Sequence, residues 1–185
     1  MVRYTYFRQA MRSQDTLNID LRALDEGQTR LEATLGDDFF EAVGGSEVSR
    51  GHVQAEVEIA RHADLFDIRL SISGTVLVPC DLCLDDMEQP VEGTLRLAAQ
   101  LGAPATEAEA DDNETISVDE ADGTLDLSWH AYETIALAIP SRHVHADGQC
   151  NPQMAAALAA HTPGQSNVEG SVDPRWSALE KLRKQ

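Results

Sequence analysis

The sequence predicts an α+β fold with a central antiparallel sheet and a long hairpin. One or two helices pack on it, and a flexible acidic loop and a C-terminal tail helix are appended. Three observations predict this. Apolar and polar residues alternate with period 2 in four runs, at about 29–35, 52–60, 65–79 and 91–97. A helix-period apolar stripe follows them at 127–139. Aromatic residues are only 5 % of a chain that is 42 % hydrophobic, so the core has to come mainly from Val, Leu, Ile and Ala.

Asn18–Asp20 is expected to be a short strand, with a turn at Asp25-Glu26-Gly27. Leu31, Ala33 and Leu35 mark one side of a half-buried strand. Asp37–Val43 is expected to be a short helix, capped by Asp37 and stopped by Gly44-Gly45. The strongest β signal comes next. Val53, Ala55, Val57 and Ile59 share one face, and Ala63-Asp64 turns the chain. Phe66, Ile68, Leu70, Ile72, Val76 and Val78 then continue along a long second strand, with a bulge expected at Gly74. Val91, Gly93, Leu95 and Leu97 form one face of another strand.

Residues 103–113 are small and acidic and are expected to be a flexible loop. Residues 114–118 make a short strand. Asp126 caps a helix over 127–139 that ends at Pro140, with Leu127, Ala131, Ile135 and Ala138 inward and Leu137 and Ile139 widening the stripe. The expected organisation is one domain over 1–161, a linker over 162–173 and a basic helix over 174–185, entered through Pro174.

Charge narrows the function classes. Arg3, Arg8 and Arg12 give the first twelve residues +3. Arg175, Lys181, Arg183 and Lys184 against Glu180 give the last eleven +3, so the overall −18 leaves residues 13–174 at −24. Such a body repels phosphate, which argues against RNA binding by the whole surface. A basic protein partner, or RNA held through one basic terminus, is compatible with it, and so is an acidic surface that only keeps the protein soluble.

The first residues, Met1-Val2-Arg3-Tyr4-Thr5-Tyr6, lack the apolar core and cleavage site of a signal peptide. The apolar run within the helix pattern, 135–139, is far short of the ~20 residues a bilayer requires. The expected location is the cytoplasm, with no membrane partner. Three cysteines there point to thiols or a metal rather than disulfides.

Cys80-Asp81-Leu82-Cys83 follows a strand directly, and the spacing lets two sulfurs face one ion. A second half-site lies downstream at His145 and Cys150, with Gly148 permitting a tight turn and His143 a rival fourth ligand. Cys80, Cys83, His145 and Cys150 would make a closed tetrahedral shell, suited to structural zinc. Reduced thiols, a redox pair and separately buried cysteines compete with this reading. The redox reading is the poorest, because Asp85-Asp86 disfavours a thiolate beside it.

No phosphate-binding glycine loop, metalloprotease motif or nucleophile elbow is present. Asp111-Asp112 and Asp119-Glu120 read as solvated charge, and His130 as a surface or half-buried residue. His52, His62 and His161 have no evident partner in sequence. No catalytic residue and no small-molecule substrate is expected.

The order of these features resembles the YceD family. It shows in Val76-Leu77-Val78-Pro79-Cys80-Asp81-Leu82-Cys83-Leu84, in Leu125-Asp126-Leu127 through Ala136-Leu137-Ala138-Ile139-Pro140, in Val144-His145 and Cys150, and in Asp173-Pro174-Arg175-Trp176 through Lys184. The chain departs from the family pattern in its helix centre, Trp129-His130-Ala131-Tyr132-Glu133, in Arg142-His143 after the proline, and in the closing segment, where Asp173 stands for Asn and Arg175-Trp176 for the usual Phe. The resemblance implies a non-catalytic role in large-subunit ribosomal RNA accumulation or processing and ribosome assembly. The implied partner is a ribosomal RNA precursor or a large-subunit ribosomal protein. The alternative is an acidic binding module or chaperone for a basic ribosomal protein, with no direct RNA contact. The tail residues Arg175, Trp176, Leu179, Lys181, Leu182, Arg183 and Lys184 are expected to bind the partner.

Overall fold

The computed structural model describes residues 5–6, 17–102 and 115–162. The expected acidic loop at 103–113, the tail helix at 174–185 with its partner-binding residues, and all but the first residue of the linker lie outside them. The chain divides into two units, Met1–Cys150 and Asn151–Gln185.

The larger unit runs β1 (Thr5–Tyr6), β2 (Asn18–Asp20), β3 (Gly27–Leu35), α1 (Asp37–Val43), β4 (Gly51–His62), β5 (Leu65–Pro79), β6 (Asp86–Leu101), β7 (Thr115–Val118), β8 (Thr124–Asp126) and α2 (Ser128–Leu137). Six strands form one sheet in the order β1-β3-β4-β5-β6-β7, and β2 pairs with β8. The four predicted strands are its antiparallel centre. The edge strands β1 and β7 pair in parallel, so the sheet is mixed.

Alternation decides which face is buried. Val53, Ala55, Val57 and Ile59 of β4 and Phe66, Ile68, Leu70 and Ile72 of β5 lie within the core, while their neighbours in sequence face outward. On the apolar side sit α1 and α2. Phe39 and Phe40 of α1 and Ala131, Tyr132 and Ile135 of α2 enter the same core. The Tyr132 hydroxyl accepts the N–H groups of Glu47 and Val48 at 2.9 and 3.1 Å, which ties the loop after α1 to α2.

Several local expectations change. There is no bulge at Gly74, because β5 stays in register with both neighbours through it. Glycine is needed there for close approach: a Cβ would lie 2.3 Å from the His52 carbonyl oxygen. The cap of α1 is Gly36, not Asp37, whose carboxylate instead accepts the Gly51 N–H at 2.9 Å. Asp126 does serve the start of α2, accepting the Ser128 N–H at 2.8 Å. Leu137 does not widen the buried stripe and is 86 % exposed.

The smaller unit contributes α3 (Pro152–His161), which sequence reasoning missed. Asn151 caps it through the Gln153 N–H, and Pro152 opens it. None of its residues is buried.

Candidate metal centre

β5 ends at Pro79, and the chain turns back into β6 through residues 80–85. Two backbone bonds close this turn. Cys80 N–H donates to the Asp85 carbonyl and Leu84 N–H to the Cys80 carbonyl, both at 2.9 Å. The Cys80 sulfur also accepts the Leu82 N–H at 3.4 Å. Such a tight turn forces Leu84 into the left-handed region at φ 64. Cys80 and Cys83 come out buried, both facing inward.

The second half-site follows α2. Pro140 ends the helical run, and His143 Nδ1 lies 3.0 Å from the Pro140 carbonyl, which only accepts, so that nitrogen carries the proton. Asp81 then joins the two half-sites. Its N–H donates to the His143 carbonyl at 3.0 Å, and its carboxylate accepts the His143 N–H at 2.8 Å. The His143 ring is thereby turned to Asp81 and Pro140 and is not among the ligands. Gly148, at φ 80, with the Gln149 N–H to Ala146 carbonyl bond, makes the turn that delivers Cys150.

Four donor atoms result, one each from Cys80, Cys83, His145 and Cys150, all within 4.8 Å of one another. The Cys80 and Cys150 sulfurs are 3.9 Å apart, and the Cys83 sulfur is 3.3 Å from His145 Nδ1. A disulfide is about 2.05 Å long, so the sulfurs are not bonded. A tetrahedral zinc with Zn–S of about 2.3 Å and Zn–N of about 2.05 Å requires S···S edges of about 3.8 Å and S···N edges of about 3.6 Å. The 3.9 Å S···S and 3.3 Å S···N edges lie close to these values, and the four donors stand near enough together to converge on one ion. All four sequence-predicted ligands are brought together, although 62 residues separate Cys83 from His145.

A family model described as large ribosomal RNA subunit accumulation protein YceD matches residues 68–183. The chain belongs to the YceD family. A search of curated proteins and a search of solved structures gave no match. The stretch matched by the YceD model contains both half-sites, α2 and nearly all of β5. Among the described residues of this YceD-family chain, no helix is long and apolar enough to cross a membrane.

Electrostatics sets what the cluster can hold. Burial is the largest influence on Cys80 and pushes its thiol up. The backbone N–H groups of Cys83, His145 and Leu82, with the His145 side chain, outweigh it and bring the thiol down to about 6. Cys150 goes the other way, to about 11, because burial and then the neighbouring Cys80 and Cys83 sulfurs disfavour another negative charge. Three thiolates packed this closely repel one another unless a cation sits between them. A divalent ion would remove that repulsion, and its binding would release protons. Four protein donors fill a tetrahedral shell, leaving no position for a substrate or a reactive water. The signal that sequence reasoning missed is Asp81, which selects His145 over His143.

Proposed function

We propose that this YceD-family chain is a cytoplasmic, non-catalytic factor in the accumulation of large-subunit ribosomal RNA, with one structural zinc at Cys80, Cys83, His145 and Cys150. The convergence of the four donors carries the metal reading, since three soft thiolates and an imidazole within 4.8 Å of one another suit zinc. Family membership supports the link to large-subunit ribosomal RNA. The partner is a ribosomal RNA precursor or a large-subunit ribosomal protein. The charge of −24 over residues 13–174 favours the protein, because a surface of that sign attracts basic chains and repels phosphate. This supports the second reading, an acidic module that holds a basic ribosomal protein without touching RNA.

The test joins metal and phenotype. Protein purified without chelator should carry about one zinc per chain by elemental analysis. Cells whose sole copy is Cys83→Ser should accumulate less large-subunit RNA. Metal-free protein, or RNA levels unchanged in the variant, would refute the reading.

A further inference from the structure

Two leucines stand exposed on the loop that carries the first half-site. Leu82 is 40 % exposed and Leu84 67 %. Leu84 also holds the left-handed conformation, φ 64, which disfavours any side chain with a Cβ. Glycine would satisfy the same two backbone bonds at lower cost, and a leucine that is 67 % exposed gains little burial in return. Folding alone therefore does not account for a leucine at 84. A strained, exposed apolar residue on a rigid turn points to recognition.

The surroundings say what is recognised. Residues 80–90 contain Asp81, Asp85, Asp86 and Glu88 and no lysine or arginine. Arg50 reaches Asp86 and His143 reaches Asp81, and by formal charge the four carboxylates outnumber that one arginine, so the rim is net negative. Phosphate is disfavoured by such a rim, whereas lysine and arginine are drawn to it. We propose that Leu82 and Leu84 form a docking point for a basic protein segment, which packs an apolar side chain on the two leucines and sets its cations against the carboxylates around them. The leucines supply affinity, and the carboxylates supply steering and register. This deepens the proposed function by naming the partner chemistry, and it rests on that reading in having the chain act by holding a partner.

Photocrosslinking in cells tests it with the full chain. A photoreactive amino acid is placed at position 84 and, in a separate control, at position 137, a still more exposed leucine site on α2. The expected result is an adduct with a basic protein at 84 and not at 137. Adding Leu82→Ser should weaken that adduct about tenfold, the worth of one buried aliphatic anchor. An adduct with RNA, an adduct with a second copy of the chain, no adduct beyond the control, or an adduct indifferent to Leu82→Ser would overturn the proposal. Leu84→Gly guards against misfolding, because it relieves the left-handed strain; it should keep the melting temperature and lose the partner. The two readings fail separately. If Cys83→Ser lowers ribosomal RNA but no adduct forms at 84, only the docking surface is wrong. If the adduct forms but Cys83→Ser leaves the RNA unchanged, only the proposed function is wrong.

Discussion

Replacing Asp81 with alanine cuts one link between the two half-sites without touching a ligand. The Asp81 carboxylate accepts the His143 N–H at 2.8 Å, while the Asp81 N–H donates to the His143 carbonyl at 3.0 Å. Only the first bond is lost in Asp81→Ala. A hydrogen bond to a charged group contributes about 1.5–3 kcal/mol. Water competes at this carboxylate, whose side chain is 40 % exposed, so the lower end, about 1.5 kcal/mol, applies. His143 lies two residues before His145, and the loss therefore falls on the segment that presents His145 and Cys150. About 1.4 kcal/mol is tenfold in affinity. Asp81→Ala should then bind zinc about tenfold more weakly with unchanged stoichiometry, at the low end of the 10–100-fold effect of outer-shell groups. Competition against a chromophoric chelator measures this, with Leu82→Ala as the control that changes the same loop without changing the clamp. Equal affinity in Asp81→Ala and the parent would refute the clamp. Loss as complete as in Cys83→Ser would show that Asp81 holds the whole loop instead.

Tyr132→Phe leaves the buried Val48 N–H and the Glu47 N–H without their acceptor, at a cost of about 1–3 kcal/mol. Calorimetry should show the melting temperature lowered by about 3–10 °C with zinc content unchanged, and no shift would remove the hydroxyl from the account of stability. In the metal-free chain Cys80 titrates at about 6 against an ordinary 9.0, so its thiolate stabilises the fold fully above pH 9 and that contribution is lost as pH falls through 6. Cys150 is raised to about 11, so its contribution is present below pH 9 and lost as pH rises through 11. The stability of reduced, metal-free protein, followed by unfolding across pH, should therefore peak between these limbs. Cys80→Ser should flatten the lower limb, and a lower limb unchanged in that variant would contradict the assignment.

The sheet centre was legible because one face of β4, β5 and β6 is buried and the other solvated, which writes alternation directly into the sequence. The parallel edges were not, because β7 is four residues long and carries no sign of its partner. Nor was the cap of α1, since the Asp37 carboxylate is taken by a residue of β4, a contact that exists only after folding. The Asn151-Pro152 start of α3 could have been read, and the alanine run behind it hid the helix by offering no polar face. At the metal centre the ligand types and the Cys-x-x-Cys spacing were legible. The choice between His143 and His145 was not, because the deciding group is the Asp81 carboxylate, and it acts across a gap of 62 residues.

The placement of the half-sites says what a metal would do there. The β5–β6 turn is fixed already by its own ladder and by two backbone bonds. The segment from 141 to 150 is different, since none of its residues is buried among the core side chains. Its anchors are the paired bonds between Asp81 and His143 and whatever joins His145 and Cys150 to the cysteines of the turn. Small metal-dependent fingers unfold without their ion because they have little core of their own. Here the core of Leu35, Val53, Phe66, Leu70, Leu127 and Ile135 is complete without it. An ion's contribution would thus be local: it would fasten a coreless segment to a rigid turn, closing a long loop where a fastener gains most from the chain entropy it removes. The same turn presents Leu82 and Leu84, so the geometry of the exposed leucines is set by the ladder and the two backbone bonds rather than by an ion. An ion there would order the segment that carries His145 and Cys150 and leave the leucines of the turn as they stand, so metal removal should loosen residues 141–150 before it disturbs the proposed docking point.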